Sequence, residues 1–211
     1  MTFITEGEKM AEGQKSKTVQ DIPKLDKPGA GLPFYEWAIA NYIIFPMRFK
    51  KTTPQMAIAE FESEMAQILA LTEKLDSNQL SARRLIPRLR GLEDSSRYWS
   101  IAMTLRHLVI VLKGSAGILT ALSHNKTDMQ ERGTADVKPE EELDLETIRN
   151  EFKEQAEQFS RLAKKLEIDK YPEAKFRHPW FGKLNARQWL VFAAPHTEIH
   201  RKQIEEILKR L

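Results

Sequence analysis

The stretch SIAMTLRHLVIVLKGSAGILTAL, residues 100–122, dominates the fold expected of this chain. It is apolar on nearly every side of a helix, and helices of that kind are buried among other elements. Ser100 is a residue type that caps helix N-termini. His107 lies inside the run, with Met103 and Val111 one turn away on either side. The stretch therefore predicts a buried core helix that carries one imidazole.

Three further segments show helical spacing of apolar residues. They run from Pro54 to about Leu75, from about Glu146 to Glu167, and from Asn185 to the end. Strand signals are scarce, because there is no sustained alternation and no hairpin turn of the Asn-Gly kind. We expect an all-α fold, an antiparallel four-helix bundle with an additional N-terminal helix from about Pro33 to Ile44.

The composition is typical of one globular domain. The chain has 211 residues, of which 41% are hydrophobic, enough for a sizeable core. The net charge of +3 does not indicate nucleic-acid binding. Residues 1–31 are polar and end in KLDKPGAG, so we expect a flexible N-terminal tail there and a single helical domain over residues 32–211.

The absence of cysteine narrows the chemistry. It excludes disulfides, zinc ribbons, iron–sulfur clusters and a cysteine nucleophile. Histidine and carboxylate are then the remaining strong metal ligands. The N-terminus has no apolar core of a secretory signal. We therefore expect a soluble cytoplasmic protein.

The most apolar run outside the core helix is FYEWAIANYIIFPM, residues 34–47. It contains Glu36 and Asn41 and is too short for a bilayer, which needs about 20 residues, so no membrane span is expected. We expect a helix that docks on the bundle or on a second subunit. The basic flank MRFKK leaves a helix at a membrane surface as an alternative.

A histidine pair, His196 and His200, lies in FAAPHTEIHRKQIEEILKRL, residues 192–211. Four residues on a helix place both imidazoles on one face, where they interrupt the core-facing stripe. With His107 they can hold one divalent metal and leave a position open. Neutral imidazole suits zinc, nickel, copper and ferrous iron. The alternative is that each histidine is a hydrogen-bonded core residue, because such pairs also occur by chance.

Two departures from simple motifs are visible at this pair. No Glu follows His196, so the HExxH zinc-protease motif is absent. Pro195 precedes that histidine and removes one backbone hydrogen bond from the helix. The proline either bends the helix and aims His196 or marks a break.

The segments YWSIAMTLRHL, residues 98–108, and HPWFGKLNARQWLVFAAPHTEIHRKQIEEI, residues 178–207, resemble the DinB-like superfamily of four-helix bundles. The pattern consists of Trp99, Ser100 and His107, then His178, Pro179, Gly182 and Leu184, and then His196, His200 and Gln203. The resemblance covers most of residues 54–211. It implies a divalent metal held by His107, His196 and His200, and a homodimer.

The resemblance also implies a metal-dependent enzyme acting on a small molecule. The ion would act as a Lewis acid on water or on a substrate thiol, with zinc or nickel favoured and iron an alternative. The reaction would be a thiol-dependent transfer, with a low-molecular-weight thiol as cofactor, or a hydrolysis. A second hypothesis is a non-catalytic binding module with a structural metal or an empty histidine cluster. A carboxylate ligand from residues 31–54 or 77–99 would favour it.

Several side chains near the histidines are candidates for supporting roles. Gln203 lies one turn beyond the pair and can hold an imidazole tautomer or a water. Trp99 packs at the core or at the rim of the pocket. His178 either lines the pocket or belongs to a tight turn whose aromatics close the bundle end, and we favour the turn. Glu198 points to solvent, and Arg106 either reaches an anionic substrate or extends outward.

Overall fold

The computed structural model describes residues 23–140 and 142–211. The expected tail, residues 1–31, lies outside the described residues as far as residue 22. In chain order the helices are α1 (Phe34–Ile39), α2 (Phe45–Lys51), α3 (Pro54–Thr72), α4 (Ser77–Ser81), α5 (Ile101–Leu122), α6 (Ile148–Lys165) and α7 (Ala186–Leu208). Strands β1 (Lys175–His178) and β2 (Gly182–Asn185) lie between α6 and α7. A π-helical segment, Ala40–Ile44, joins α1 to α2.

Helices α3, α5, α6 and α7 form a four-helix bundle, which confirms the all-α fold expected from the sequence. Helices α3 and α5 each pack against both α6 and α7, so they occupy opposite corners. The core between them contains fully buried side chains from all four helices, including Phe61, Leu105, Leu108, Phe159 and Leu190. Burial of each such side chain stabilises the fold by about 1.5–3 kcal/mol.

Helix α5 is long and apolar enough to cross a bilayer by length and composition alone. Core helices of bundles meet the same criterion, and here α5 packs against two bundle helices. The hydroxyl of Ser100 accepts a hydrogen bond from the backbone N–H of Met103 at 3.2 Å. The predicted cap of this helix is therefore confirmed.

Helix α7 begins where its sequence indicates, directly after Asn185. The side chains of Asn185 and Gln188 form a reciprocal capping box. The helix runs through Pro195 without a break. Proline removes one hydrogen bond to the preceding turn, and the surrounding bundle contacts hold the helix together across it. Both histidines of the pair therefore lie on one continuous helix.

The connection over residues 123–147 crosses back along the bundle. Arg149 near the start of α6 donates to the carbonyl of Thr72 at the end of α3, at 3.0 Å, so these two helices are antiparallel. Arg106 near the start of α5 pairs with Glu151 near the start of α6, at 3.3 Å. Helices α5 and α6 therefore begin at the same end, and the chain must return over the bundle between them.

A short hairpin lies between α6 and α7, where the sequence shows no strand signal. Strands β1 and β2 pair in antiparallel register with His178 opposite Gly182, and residues 179–181 form the turn. Gly182 has a φ of 72°, a conformation that favours glycine. The strands were missed because each has only four residues and the turn is not of the Asn-Gly kind. Phe176 and His178 alternate inward and are buried.

The N-terminal helices α1 and α2 pack against the end of the bundle. Trp37 donates from its indole nitrogen to the carbonyl of Trp180 at 2.7 Å, and the buried ring of Phe45 contacts Phe181 and Phe192. The helical region extends beyond the expected end at Ile44 to Lys51. The opposite face carries exposed large apolar side chains, which are Phe34, Tyr35, Ile39, Tyr42, Ile43, Ile44 and Met47.

Candidate metal centre

The three predicted histidines meet at one point between α5 and α7. One ring nitrogen from each lies within 4.8 Å of one ring nitrogen of the other two. The ring centroids of His107 and His200 are 4.5 Å apart, and those of His196 and His200 are 4.6 Å apart. His107 and His200 are buried, whereas His196 is half-buried. The cluster is therefore a group of donors from two facing helices.

The spacing of the donors suits a first-row divalent metal. The Nε2 atoms of His107 and His196 are 3.3 Å apart. Zinc–nitrogen bonds of about 2.0–2.1 Å at a tetrahedral angle place two ligand nitrogens about 3.3–3.4 Å apart. The observed separation thus matches two imidazoles on one ion.

The tautomer of His107 follows from its hydrogen bond. Its Nδ1 lies 2.7 Å from the backbone carbonyl oxygen of Val137, which can only accept, so Nδ1 carries the hydrogen. Burial lowers the pKa of His107 to about 4, which keeps the ring neutral at pH 7. The lone pair is then on Nε2, which faces the other two rings.

The tautomer of His200 is set through Gln203. The amide nitrogen of Gln203 donates to the carbonyl of Ser96 at 2.8 Å, which orients the amide oxygen toward Nδ1 of His200 at 2.7 Å. Nδ1 therefore carries the hydrogen, and Nε2 is free to bind a metal. Burial, and then the neighbouring His107, hold the pKa of His200 well below its usual range. Gln203 thus occupies the supporting position that the sequence indicated.

His196 completes the cluster on the side of a cavity. Burial, and then the neighbouring His200 and His107, lower the pKa of His196 well below its usual range. Over residues 23–140 and 142–211, no carboxylate joins the three histidines. Residues 31–54 and 77–99 were the segments expected to supply a fourth, carboxylate ligand. Their two buried carboxylates bind other groups. Glu36 binds Arg88 and the N–H of Gly91, and Glu93 accepts from backbone N–H groups.

Aromatic rings fix the histidine planes. The ring of Trp99 lies parallel to that of His200, with an interplanar angle of 5° and centroids 6.2 Å apart. His178 is outside the trio, and its ring contacts Phe181, Trp189 and Phe192. Its Nδ1 accepts from the N–H of Trp180 at 3.2 Å, and burial lowers the pKa of His178 to about 3. His178 therefore belongs to an aromatic layer beside the cluster.

Two charged residues near the cluster point away from it. Arg106 pairs with Glu140 and Glu151, and Glu198 pairs with Lys202. The contact of Glu198 agrees with the solvent-facing orientation expected from the sequence, and the two ion pairs of Arg106 support the outward one of its two expected orientations. The carbonyls of Val137 and Ser96, in contrast, were missed, because a backbone oxygen in an irregular segment leaves no signal in the sequence.

A cavity of about 710 Å³ opens beside the cluster. All three histidines line it, together with Trp99 and His178. Its volume lies in the range of sites for small molecules, which is about 300–1,000 Å³. A metal at the cluster would therefore be reachable by a ligand in the cavity.

Fold and site define a helical-bundle protein with a histidine cluster that can hold a metal. The sequence matches the profile of the DinB superfamily over residues 60–204, more than half of the chain. The chain belongs to the DinB superfamily. The DinB-like resemblance inferred from the histidine and loop motifs is thus confirmed.

Two solved structures share the fold. YfiT from Bacillus subtilis, described as a probable metal-dependent hydrolase with an unusual four-helix bundle topology, is 17% identical with a TM-score of 0.56. That match covers 76% of this chain and 88% of YfiT. TT2238, a four-helix bundle protein, is 27% identical with a TM-score of 0.52, over 72% of this chain and 98% of TT2238. No curated protein matches this chain in sequence.

Proposed function

We propose that this protein is a divalent-metal-dependent hydrolase in which His107, His196 and His200 bind the ion. The observation that carries the proposal is the convergence of three imidazoles at a cavity wall, two of them held as the Nδ1–H tautomer with Nε2 directed inward. The description of YfiT as a probable metal-dependent hydrolase supports the reaction class. Zinc and nickel are the favoured ions, with iron as the alternative.

The chain would orient the metal ligands and exclude water from the sides of the metal site. A bound divalent ion supplies Lewis acidity, which lowers the pKa of a water ligand. Gln203 and the carbonyl of Val137 hold two ligand rings in the tautomer that exposes Nε2. Trp99 and the buried ring of His178 exclude water from the flanks of the cluster.

A thiol-dependent transferase is the second candidate. Among the described cavity-lining residues Glu93 is the single carboxylate, and it is held by the N–H groups of Gly29 and Gly31 and by the hydroxyl of Ser95. The remaining cavity-lining imidazole, His178, accepts from the N–H of Trp180 at Nδ1 and therefore carries its hydrogen on Nε2. The described residues that line the cavity thus include no free general base. A bound metal would lower the pKa of a thiol ligand, and such chemistry would need no general base. Because the chain has no cysteine, the thiol would come from a low-molecular-weight cofactor.

The metal centre is tested by elemental analysis of the untagged protein and of single His→Ala variants at positions 107, 196 and 200. We expect about one zinc or nickel ion per chain in the unaltered protein and its loss in each variant. His124→Ala is the matched control, because His124 is exposed and bonded to the carbonyl of Thr120. Full metal content in the three cluster variants would refute the ligand assignment, and a screen of ester and amide hydrolysis would follow metal binding.

The proposed function also includes a cellular location, an oligomeric state and a class of substrate. We place it in the cytoplasm, as a homodimer acting on a small molecule, with no role for nucleic acid. The cavity size supports a small-molecule substrate, and the small net charge supports the absence of a role for nucleic acid. The exposed face of α1 and α2 supports the dimer.

A further inference from the structure

The cavity beside the histidine cluster is elongated along α5. Its wall includes residues of that helix from His107 to Ala121, a span of about 21 Å along the axis at 1.5 Å per residue. Apolar side chains line it along this length, among them Ile110, Ile118, Met129, Trp180 and Ile199. The space therefore suits a long apolar body with one end at the cluster.

Two glycines widen the part of the cavity that runs along α5, which we call the groove. Gly114 and Gly117 lie inside α5 and line the cavity. Their backbone conformation is ordinary, and a Cβ built on either meets no atom of the described residues within 4 Å. Neither conformation nor packing among residues 23–140 and 142–211 therefore requires glycine, although glycine is unfavourable inside a helix. The space that these residues leave belongs to the cavity.

The charged side chains of the cavity wall are mostly positive. Five cationic residues line it, against the single carboxylate of Glu93. Arg106 is neutralised by Glu140 and Glu151, and Lys138 is half-buried close to Glu93. The others are Lys113, Arg132 and Arg177, which are exposed. In the part of the chain that the structure describes, no carboxylate forms an ion pair with any of these three.

We propose that the cavity binds an anionic amphiphile, whose apolar body lies along α5 and whose carboxylate or phosphate group pairs with Lys113, Arg132 and Arg177. This assignment names the substrate class of the metal centre and in that respect rests on the proposed function. Binding itself depends on the groove and the three cations, and it does not require the metal. A neutral or cationic molecule of equal length would leave these cations unpaired at the cavity wall.

Calorimetric titration of the metal-free protein with decanoate, decyl phosphate, decan-1-ol and decyltrimethylammonium tests the charge preference. We expect both anions to bind one per chain, more tightly than decan-1-ol and at least tenfold more tightly than the cation. The double variant Lys113→Gln/Arg177→Gln should bind decanoate at least fivefold more weakly. The control Lys126→Gln/Lys153→Gln removes two exposed charges away from the cavity and should bind as the unaltered protein does.

The position of the apolar body is tested by filling the groove. Gly117→Leu, with Gly114→Leu as a second variant, should weaken decanoate binding at least tenfold. Thr120→Leu places the same side chain at an exposed position of α5 that does not line the cavity, and it should have no effect. Melting curves followed by circular dichroism verify that each variant is folded.

Equal affinity for the anions and the cation, or undiminished binding in both folded glycine variants, would overturn the inference. A protein that holds one metal per chain but binds neither decanoate nor decyl phosphate would also overturn it and leave the metal centre standing. A protein that binds the anions but loses no metal on His→Ala substitution would instead overturn the proposed ligand set.

Discussion

At the scale of single residues, the histidines depend on neighbours that fix their protons. Gln203 orients His200 and is itself oriented by the carbonyl of Ser96. The partner of His107 is a backbone carbonyl, which no side-chain substitution removes. Gln203 is therefore the position where the support of a ligand can be tested separately from the ligand.

We expect Gln203→Ala to lower the affinity for zinc about 10–100-fold while leaving all three imidazoles in place, because loss of an outer-shell partner typically has that effect. Gln203→Glu keeps an acceptor for Nδ1–H but loses the donor to the carbonyl of Ser96, so it should restore the affinity only in part. Competition with a chromogenic chelator measures both. Equal affinity in the alanine variant would show that Gln203 does not position the ligand.

The aromatic layer around His178 predicts a pH dependence of folding. Burial lowers the pKa of His178 to about 3 from 6.5, so the unfolded chain binds this proton more readily than the folded one. The free energy of unfolding is therefore unaffected by His178 above pH 6.5, and it decreases as the pH falls from 6.5 toward 3. Urea unfolding of metal-free protein between pH 7.5 and 4.5 should show this loss, on the order of a few kcal/mol at the acid limit. His178→Phe should show a shallower decline, and an unchanged slope would contradict the assignment.

At the scale of elements, the hairpin between α6 and α7 carries His178 to the cluster. Its turn depends on Gly182, whose φ of 72° is unfavourable for residues with a Cβ. The two strands are short, so pairing alone specifies their register weakly. The position of the aromatic layer therefore depends on the turn at Gly182.

We expect Gly182→Ala to destabilise the fold by about 1 kcal/mol or more, because alanine is strained at positive φ. Gly133→Ala is the matched control, since Gly133 precedes a helical turn with an ordinary φ of −86°. Urea unfolding at pH 7.5 measures both. Equal stability of the two variants would show that the turn tolerates a side chain.

At the scale of the whole molecule, the segment from α1 to α2 presents a face of exposed large apolar side chains. Seven large side chains there, including Phe34 at 79% and Tyr42 at 68% exposure, present about 800 Å² of surface if each offers about 200 Å² in full. A standard protein interface buries about 800 Å² per partner. The face is therefore of a suitable size to be covered by a second copy.

We predict that the protein is a homodimer in solution and that Tyr42→Lys/Ile43→Lys makes it monomeric, because both side chains lie on this face. Light scattering after size-exclusion chromatography gives the masses, and Lys202→Ala is a control on an exposed site of α7. A monomeric unaltered protein that sediments with anionic vesicles would instead favour the membrane-surface role of residues 34–51.

Much of the fold could be predicted from the sequence, because it depends on interactions between residues close together in the chain. The apolar run of α5, the capping residues Ser100 and Asn185, and the i, i+4 spacing of His196 and His200 act within one or two helical turns. Such features need no knowledge of distant residues. They determined the helices, the bundle and the identity of the three converging imidazoles.

The tertiary structure decided what depends on contacts between residues far apart in the chain. The crossover over residues 123–147 brings the carbonyl of Val137 to His107, and Ser96 reaches Gln203 across 107 positions. The cavity, with Lys113, Arg132 and Arg177 at its wall, also exists only once α5, the hairpin and the crossover are packed together. Local periodicity cannot specify these features, because they arise from how the elements pack and where the irregular backbone between them runs.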